Sequence, residues 1–384
     1  MTPFDFSCPT RIAFGPGRVS ELGALAALIA PNTRVLVASD PGVIAAGHTQ
    51  RGIESLQAAG HTTLLFDGIQ ENPTTDNVDA GVAVAQEFDP QILVGLGGGS
   101  SMDCTKGINF IHSCGGRMQD YRGVGKATAD LLPMIAVPTT AGTGSEAQSF
   151  ALISDAETHV KMACGDKRAA FSTAVLDPEL TLTQPPMVTA LTGIDAVAHA
   201  VETLVTAKRN PISQAFTREA WRALVSGIRV FEEPDNLEAR ADMQLGACFA
   251  GLAIENSMLG AAHALANPLT ANFGVPHGQA VGVMLPHVVR YNGANCQDCA
   301  EAYKLLAGPL TGGDGSPSDS VAAAATLLEE LCRRAGLKTT LSDLQIPADS
   351  LPRLAKEALP QWTVSFNPVP LDAEALLSIY RAAL

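Results

Sequence analysis

The chain is expected to fold as an α/β N-terminal domain built on a parallel sheet, followed by an all-α C-terminal domain. Three observations lead there. Short β-branched runs alternate with helical stretches of ten to fifteen residues over roughly the first 180 positions, the pattern of βαβ units. After Leu180 such runs become rare, and alanine and leucine dominate to the last residue. A length of 384 residues also exceeds what one hydrophobic core usually organises.

The elements follow in order. Residues 11–14 read as an opening strand, GPG from Gly15 as a turn, and 19–29 as a helix. TRVLVASD is a buried strand ending at Asp40, followed by an amphipathic helix to about Ala59. TTLLFDGI from Thr62 is the next strand, 75–88 the next helix, and QILVGLGGGS an apolar strand that runs into glycines. LLPMIAVPTT from Leu131 and TAVLDPEL from Thr173 complete the parallel set, and between them SFALISD and HVKMAC form a short antiparallel pair. A proline turn at 183–186 sets the boundary, giving domains 1–183 and 184–384. A long helical run carrying GIDAVAHAVE follows, and a Gly/Pro/Ser/Asp loop at 308–320 interrupts the helical half without dividing it.

Composition narrows the partners. Apolar residues make up 46% and charged residues 17%, which fits a well-buried globular protein. The net charge of −14, from 25 basic and 39 acidic side chains, disfavours nucleic acid and anionic membrane as partners. A dinucleotide is not disfavoured, because a local nest of amides can hold one. MTPFDFSCPT lacks the basic start and apolar run of a signal peptide, and no uninterrupted apolar 18-mer occurs, so a cytoplasmic location is expected. The eight cysteines are scattered; Cys296 and Cys299 form a single CQDC that reads as a polar helix start, with a redox or metal pair as the alternative.

Two donor-rich loops lie at the ends of neighbouring strands in the first half. Gly97, Gly98, Gly99 and Ser100 link a strand to a helix starting near Met102, where glycine lets backbone amides approach a pyrophosphate. Asp103 is either a cap of that helix or an organiser of cofactor and pocket, and Lys106 pairs with it or faces solvent. PTTAGTGSEA supplies the hydroxyls of Thr139, Thr140, Thr143 and Ser145. The spacing matches neither GxGxxG nor GxxxxGKS. Asp40, at a strand end, is placed to accept from ribose hydroxyls and repel a 2′-phosphate, which favours NAD while leaving NADP possible.

The helical half carries a second chemistry. Asp195 and His199 are four residues apart, so one helix face presents both, and His263 and His277 follow. One carboxylate and three imidazoles suit a divalent metal, Fe2+ or Zn2+. Glu202, three residues past His199, is read as supporting a ligand or lying at the surface. The other five histidines (His48, His61, His112, His159, His287) are read as packing or surface residues.

These motifs resemble the iron-containing (group III) alcohol dehydrogenases, within the dehydroquinate synthase-like superfamily. The resemblance covers nearly the whole chain and rests on GGGSSMDCTKG, PTTAGTGSEA, AVLDPEL, GIDAVAHAVE and the block from His263 to His277. It implies that the first half binds NAD(P), that Asp195, His199, His263 and His277 hold one catalytic metal in a cleft between domains, and that Gly97 to Ser100 bind the pyrophosphate with Thr139, Thr140 and Thr143 nearby. It also implies hydride transfer between NAD(H) and a small alcohol or aldehyde, and a homodimer or higher homo-oligomer. Many members carry a second histidine four residues after the third ligand; this chain has Asn267 there, which can orient water or substrate but cannot titrate near neutral pH. Phe150 and the apolar residues around Phe273 are candidates for the substrate wall. The alternatives are a hydroxyacid–oxoacid transhydrogenase using the same site, a dehydroquinate synthase-like lyase, and a metal- and nucleotide-binding protein without turnover. The lyase is disfavoured because no Arg/Lys cluster accompanies the metal block.

Overall fold

The computed structural model describes residues 3–311 and 316–384, and the chain divides into two compact units. Ser7–Gln184 form one; Pro185–Leu384 form the other, joined by the first six residues. Residues 3–6 depart from the expected 1–183 domain, with Phe6 stacked on Phe216 of the helical unit at 5.9 Å between ring centroids.

The first unit contains strands β1 (Arg11–Phe14), β2 (Arg34–Ser39), β3 (Thr62–Phe66), β4 (Ile92–Gly97), β5 (Gly123–Val124), β6 (Met134–Pro138), β7 (Phe150–Ser154), β8 (Lys161–Gly165) and β9 (Thr173–Leu176). Its helices are α1 (Leu22–Ile29), α2 (Pro41–Ala45), α3 (His48–Ala58), α4 (Thr75–Phe88) and α5 (Gly99–Cys114). Six strands form one sheet in the order β1-β9-β6-β4-β2-β3, every pair parallel. β4, β6 and β9 are buried at every position, as a parallel sheet covered on both faces requires. β7 and β8 pair antiparallel, as read from the sequence, and β5 joins β8 to make a separate three-stranded sheet.

From β2 the chain moves outward to edge strand β3, then returns across β2 to β4. That reversal makes the carboxyl ends of β2 and β4 a topological switch point, where diverging loops leave a crevice. Asp40 and Gly97 stand at those two ends.

Three helices differ from expectation. The helix at 19–29 opens as a 3-10 turn, Arg18–Glu21, where the Asp177 carboxylate accepts from the amides of Gly17 and Val19, both at 3.0 Å. The helix reaching Ala59 is two, α2 and α3, divided at Gly47, whose φ of +80° a helix cannot contain. The helix after the glycines begins at Gly99, three residues before Met102, so Ser100 sits in its first turn.

The second unit is helical: α6 (Pro186–Val205), α7 (Pro211–Gly227), α8 (Leu237–Ser257), α9 (Ala261–Phe273), α10 (His277–Asn295), α11 (Gln297–Ala302), α12 (Lys304–Thr311), α13 (Pro317–Arg334), α14 (Leu351–Ala358) and α15 (Ala373–Ala382). α6 packs against α7, α8 and α10, and α10 also against α9 and α13. α6 is long and apolar enough to cross a membrane by length and composition, yet 83% of its apolar window is buried inside the unit. The loop expected at 308–320 is shorter than its composition suggested. α12 runs to Thr311 and α13 starts at Pro317 behind a Ser316 cap, while 312–315 lie outside the described residues. Cys296 caps α11 and is disulfide-bonded to Cys299, so the CQDC is both a helix start and a cysteine pair.

Candidate functional site

In the helical unit, the i, i+4, i+7 spacing of Asp195, His199 and Glu202 lays all three along one stripe of α6, and all are buried. His263 enters from the first turn of α9 and His277 from the first residue of α10. α10 comes this close because residue 278 is glycine: a Cβ there would lie 2.1 Å from the Leu191 carbonyl oxygen, one turn before Asp195. The Nε2 atoms of His263, His199 and His277 converge on a single oxygen, Asp195 Oδ1, at 3.3, 3.6 and 3.8 Å. Ligand atoms of Asp195, His263 and His277 all lie within 4.8 Å of one another. His199 and His263 stack at 4.9 Å between centroids.

Electrostatics follow from this convergence. Burial is the largest influence on Asp195 and pushes its carboxyl up, but His199, the His263 hydrogen bond and His277 together hold it far below the usual carboxylate range. Burial also pulls His263 down most strongly, yet Glu202 and Asp195 raise it to about 10. Glu202 therefore lies behind the cluster, as the partner of His263 Nδ1, rather than at the surface. The three donors of Asp195, His263 and His277, of mixed nitrogen and oxygen character, fit a divalent ion such as Fe2+ or Zn2+; His199 lies beside them, its Nε2 reaching Asp195 Oδ1.

Asn267 lies one turn beyond His263 on α9 and donates from Nδ2 to Gln361 Oε1 at 3.0 Å. Gln361 carries no signal that sequence reasoning could have used; its role is set by where the segment after α14 returns.

In the first unit, the crevice at the switch point is built from close approaches. A Cβ at Gly97 would meet Ser101 Oγ at 2.2 Å and Asp40 Oδ2 at 2.9 Å, and one at Gly99 would meet Thr143 Cγ2 at 2.7 Å. Glycine is needed at both. The Gly99 and Ser100 amides precede the first intrahelical bonds, which Ser101 and Met102 donate to the Gly98 carbonyl, so the helix start offers donors to an anion. Ser100 Oγ accepts from the Asn72 amide at 3.2 Å. Thr139 is tied to this turn by its amide, 2.9 Å from the Gly97 carbonyl, and the Thr140 methyl lies 3.2 Å from where a Gly98 Cβ would stand. Asp40 is already engaged: Oδ1 caps α2 through the Val43 amide at 3.1 Å, and Oδ2 accepts from Ser101 Oγ at 3.1 Å.

Two open alternatives are decided here. Asp103 does not cap α5, whose start has no side-chain cap. It instead accepts from Ser145 Oγ at 2.6 Å and the Leu152 amide at 3.2 Å, so Ser145 spends its proton inside the protein. Lys106 does not face solvent. It is fully buried and donates to Ser145 O, Ser145 Oγ and Phe150 O at 2.7–2.8 Å, with Asp103 Oδ1 at 3.7 Å. Phe150 packs its ring over Gly165 in the small sheet.

Comparison with known proteins gives a consistent result. Residues 9–178 match the family described as iron-containing alcohol dehydrogenase, and residues 189–384 match the C-terminal domain of the same family. The chain is 34% identical over 384 residues to the 1,3-propanediol dehydrogenase of Klebsiella pneumoniae, covering 99% of this chain and 98% of that protein. It is 29% identical to the NAD-dependent methanol dehydrogenase of Bacillus methanolicus, covering 99% and 100%. The solved structure of an alcohol dehydrogenase from Oenococcus oeni superimposes with a TM-score of 0.95 at 28% identity over the full length of both chains.

Proposed function

The chain belongs to the iron-containing alcohol dehydrogenase family, and on that premise we propose which of its residues carry the reaction. The protein is a metal- and NAD-dependent oxidoreductase that moves a hydride between NAD(H) and a small alcohol or aldehyde. In our reading Asp195, His199, His263 and His277 hold the metal, Fe2+ by family and Zn2+ as the alternative. The observation that carries this is the convergence of three Nε2 atoms on Asp195 Oδ1 within 3.8 Å.

A divalent metal bound there supplies Lewis-acid polarisation of the substrate oxygen. The chain's own residues do the rest. Asp195 contributes one negative charge to the site; Asp195, His199 and His263 are buried, while the His277 side chain stays partly open. Asn267, fixed by Gln361, offers its remaining carbonyl oxygen to a substrate hydroxyl or a water. In the other unit, the Gly97, Gly98, Gly99 and Ser100 turn receives the pyrophosphate, and Thr139, Thr140 and Thr143 line it. Asp103 and Ser145 act by holding that loop, and Asp40 disfavours a 2′-phosphate. A cytoplasmic homodimer or higher homo-oligomer completes the proposal, in keeping with the family resemblance.

The test is metal analysis of anaerobically purified protein together with NADH-dependent reduction of an aldehyde panel. The parent should carry one ion per chain and turn over. Ala in place of His263 should lose both while keeping its helical circular dichroism; retained metal and turnover in that variant would remove the ligand assignment.

A further inference from the structure

Glu202 is only 4% exposed, and its carboxylate has two donors. Oε2 receives His263 Nδ1, and Oε1 receives the Ala262 amide at 2.7 Å. The Ala262 amide lies in the first turn of α9, whose N-cap, Gly260, has no side chain to offer. Glu202 thus caps α9 from another helix, placing a negative charge where the helix dipole favours it. Residue 260 must be small, since a Cβ there would stand 3.1 Å from Glu202 Oε1 and 3.3 Å from Asn367 Oδ1. Beneath lies a polar floor: Asn292 and Asn367 exchange reciprocal amide bonds at 3.1 and 2.8 Å, and the buried Tyr303 hydroxyl bonds to Asn292. The cavity among Glu202, Gly260, Asn292, Tyr303 and Asn367 measures only about 10 Å3, too small for the carboxylate to swing into.

We propose that Glu202 is the positioning residue of the metal centre. By holding both the His263 Nδ1 proton and the start of α9, it fixes the tautomer and ring angle that turn His263 Nε2 toward Asp195. The proposal rests on the metal reading above. A carboxylate can satisfy both donors; a glutamine has one acceptor oxygen and must turn its NH2 group toward one of them, leaving that donor unpaired.

The test uses the full chain stripped of metal, with Zn2+ alone as probe, titrated in competition with a chromogenic chelator. Glu202→Gln should weaken Zn2+ binding about 10- to 100-fold, the range found when such outer partners of ligating histidines are removed. NADH binding should be unchanged, and the strongly deshielded His263 Nδ1 proton of the parent should disappear from the imidazole NMR spectrum. Glu202→Asp, which keeps the charge, should fall between the two, and it substitutes as the test if the glutamine variant does not fold. Zn2+ affinity within twofold of the parent in both variants overturns the proposal, even if their thermal stability falls, because that outcome describes a purely structural cap. A parent that binds no Zn2+ overturns the metal reading and this proposal with it; a parent that binds one ion and loses it in His263→Ala, but not in Glu202→Gln, overturns this proposal alone.

Discussion

Replacing Lys106 with methionine tests whether the knot behind the dinucleotide loops is held by a buried charge. Methionine keeps most of the volume and removes the ammonium. Two backbone carbonyls, Ser145 O and Phe150 O, then lose their donor, and Asp103 loses the nearest cation. Breaking a buried pair by deleting one partner typically costs about 3–5 kcal/mol. Against a usual folding stability of about 5–15 kcal/mol, that is a large fraction. The sign of the pH dependence is also fixed. Burial raises the Asp103 carboxyl above its ordinary value, and Lys106 is the main opposing influence. Without Lys106 the folded-state value climbs further. A carboxyl raised in the folded state stabilises the fold when protonated and loses that contribution as pH rises, so the variant's deficit should shrink as pH falls from 7 toward 5. Both tryptophans, Trp221 and Trp362, lie in the helical unit, so fluorescence would miss the effect. Hydrogen–deuterium exchange on peptides spanning 134–154 would register it, as faster exchange at pH 7 and weaker NADH binding. Parent-like exchange there, with a stability loss under about 1 kcal/mol, would refute the knot as a stabilising element.

Three further outcomes are expected. Zn2+ affinity of the metal-free chain should rise with pH by about tenfold per unit between pH 6 and 8, because His263, raised to about 10, must release its proton before Nε2 can ligate; a flat profile in chelator competition contradicts this. Asp40→Asn keeps an oxygen to cap α2 but removes the charge, so the NADPH to NADH ratio of kcat/KM should increase at least about tenfold, from roughly 2 kcal/mol of repulsion at ~8 Å and an effective dielectric near 20. An unchanged ratio would show that Asp40 does not face the adenosine ribose. Asn267→His should leave metal content intact while adding an ionisation near ~6.5 to the pH profile of kcat/KM, and a profile identical to the parent's would show that residue 267 does not touch the proton path.

Most of the fold could be read from the sequence because period and punctuation carry it. β2, β4 and β6 announce themselves as apolar runs ending at Asp40, at the glycines and at PTT, and their parallel pairing, though not their order, follows from βαβ alternation. The candidate cluster of Asp195, His199, His263 and His277 was legible because an acid and a histidine four apart share one face of an apolar helix, and the structure brings Asp195, His263 and His277 together. What could not be read was tertiary. Nothing in TAGTGSEA says that Ser145 turns inward to Asp103, or that Lys106 is buried beneath it, since a lysine three residues past an aspartate on a helix usually faces water. Likewise Gln361 is 94 residues from Asn267, and only the return of the chain after α14 joins them.

α6 brings these two kinds of information together. By composition it is a core helix, and burial is where its alanines and valines take it. A stripe of Asp195, His199 and Glu202 inside such a helix is costly, because each ion taken from water carries a penalty of several kcal/mol that only good pairing offsets. Apolar residues of similar volume would satisfy the fold at least as well. The charges here are compensated, but each by another group of the same cluster: Asp195 by the three imidazoles, His263 by Asp195 and Glu202, Glu202 by His263 and the α9 amide. Polar groups that compensate one another in this way add nothing to packing that leucine could not supply. Three nitrogens aimed at one oxygen is the geometry the proposed ligand set requires, so on that reading the helix that stabilises the second unit also gives it chemistry.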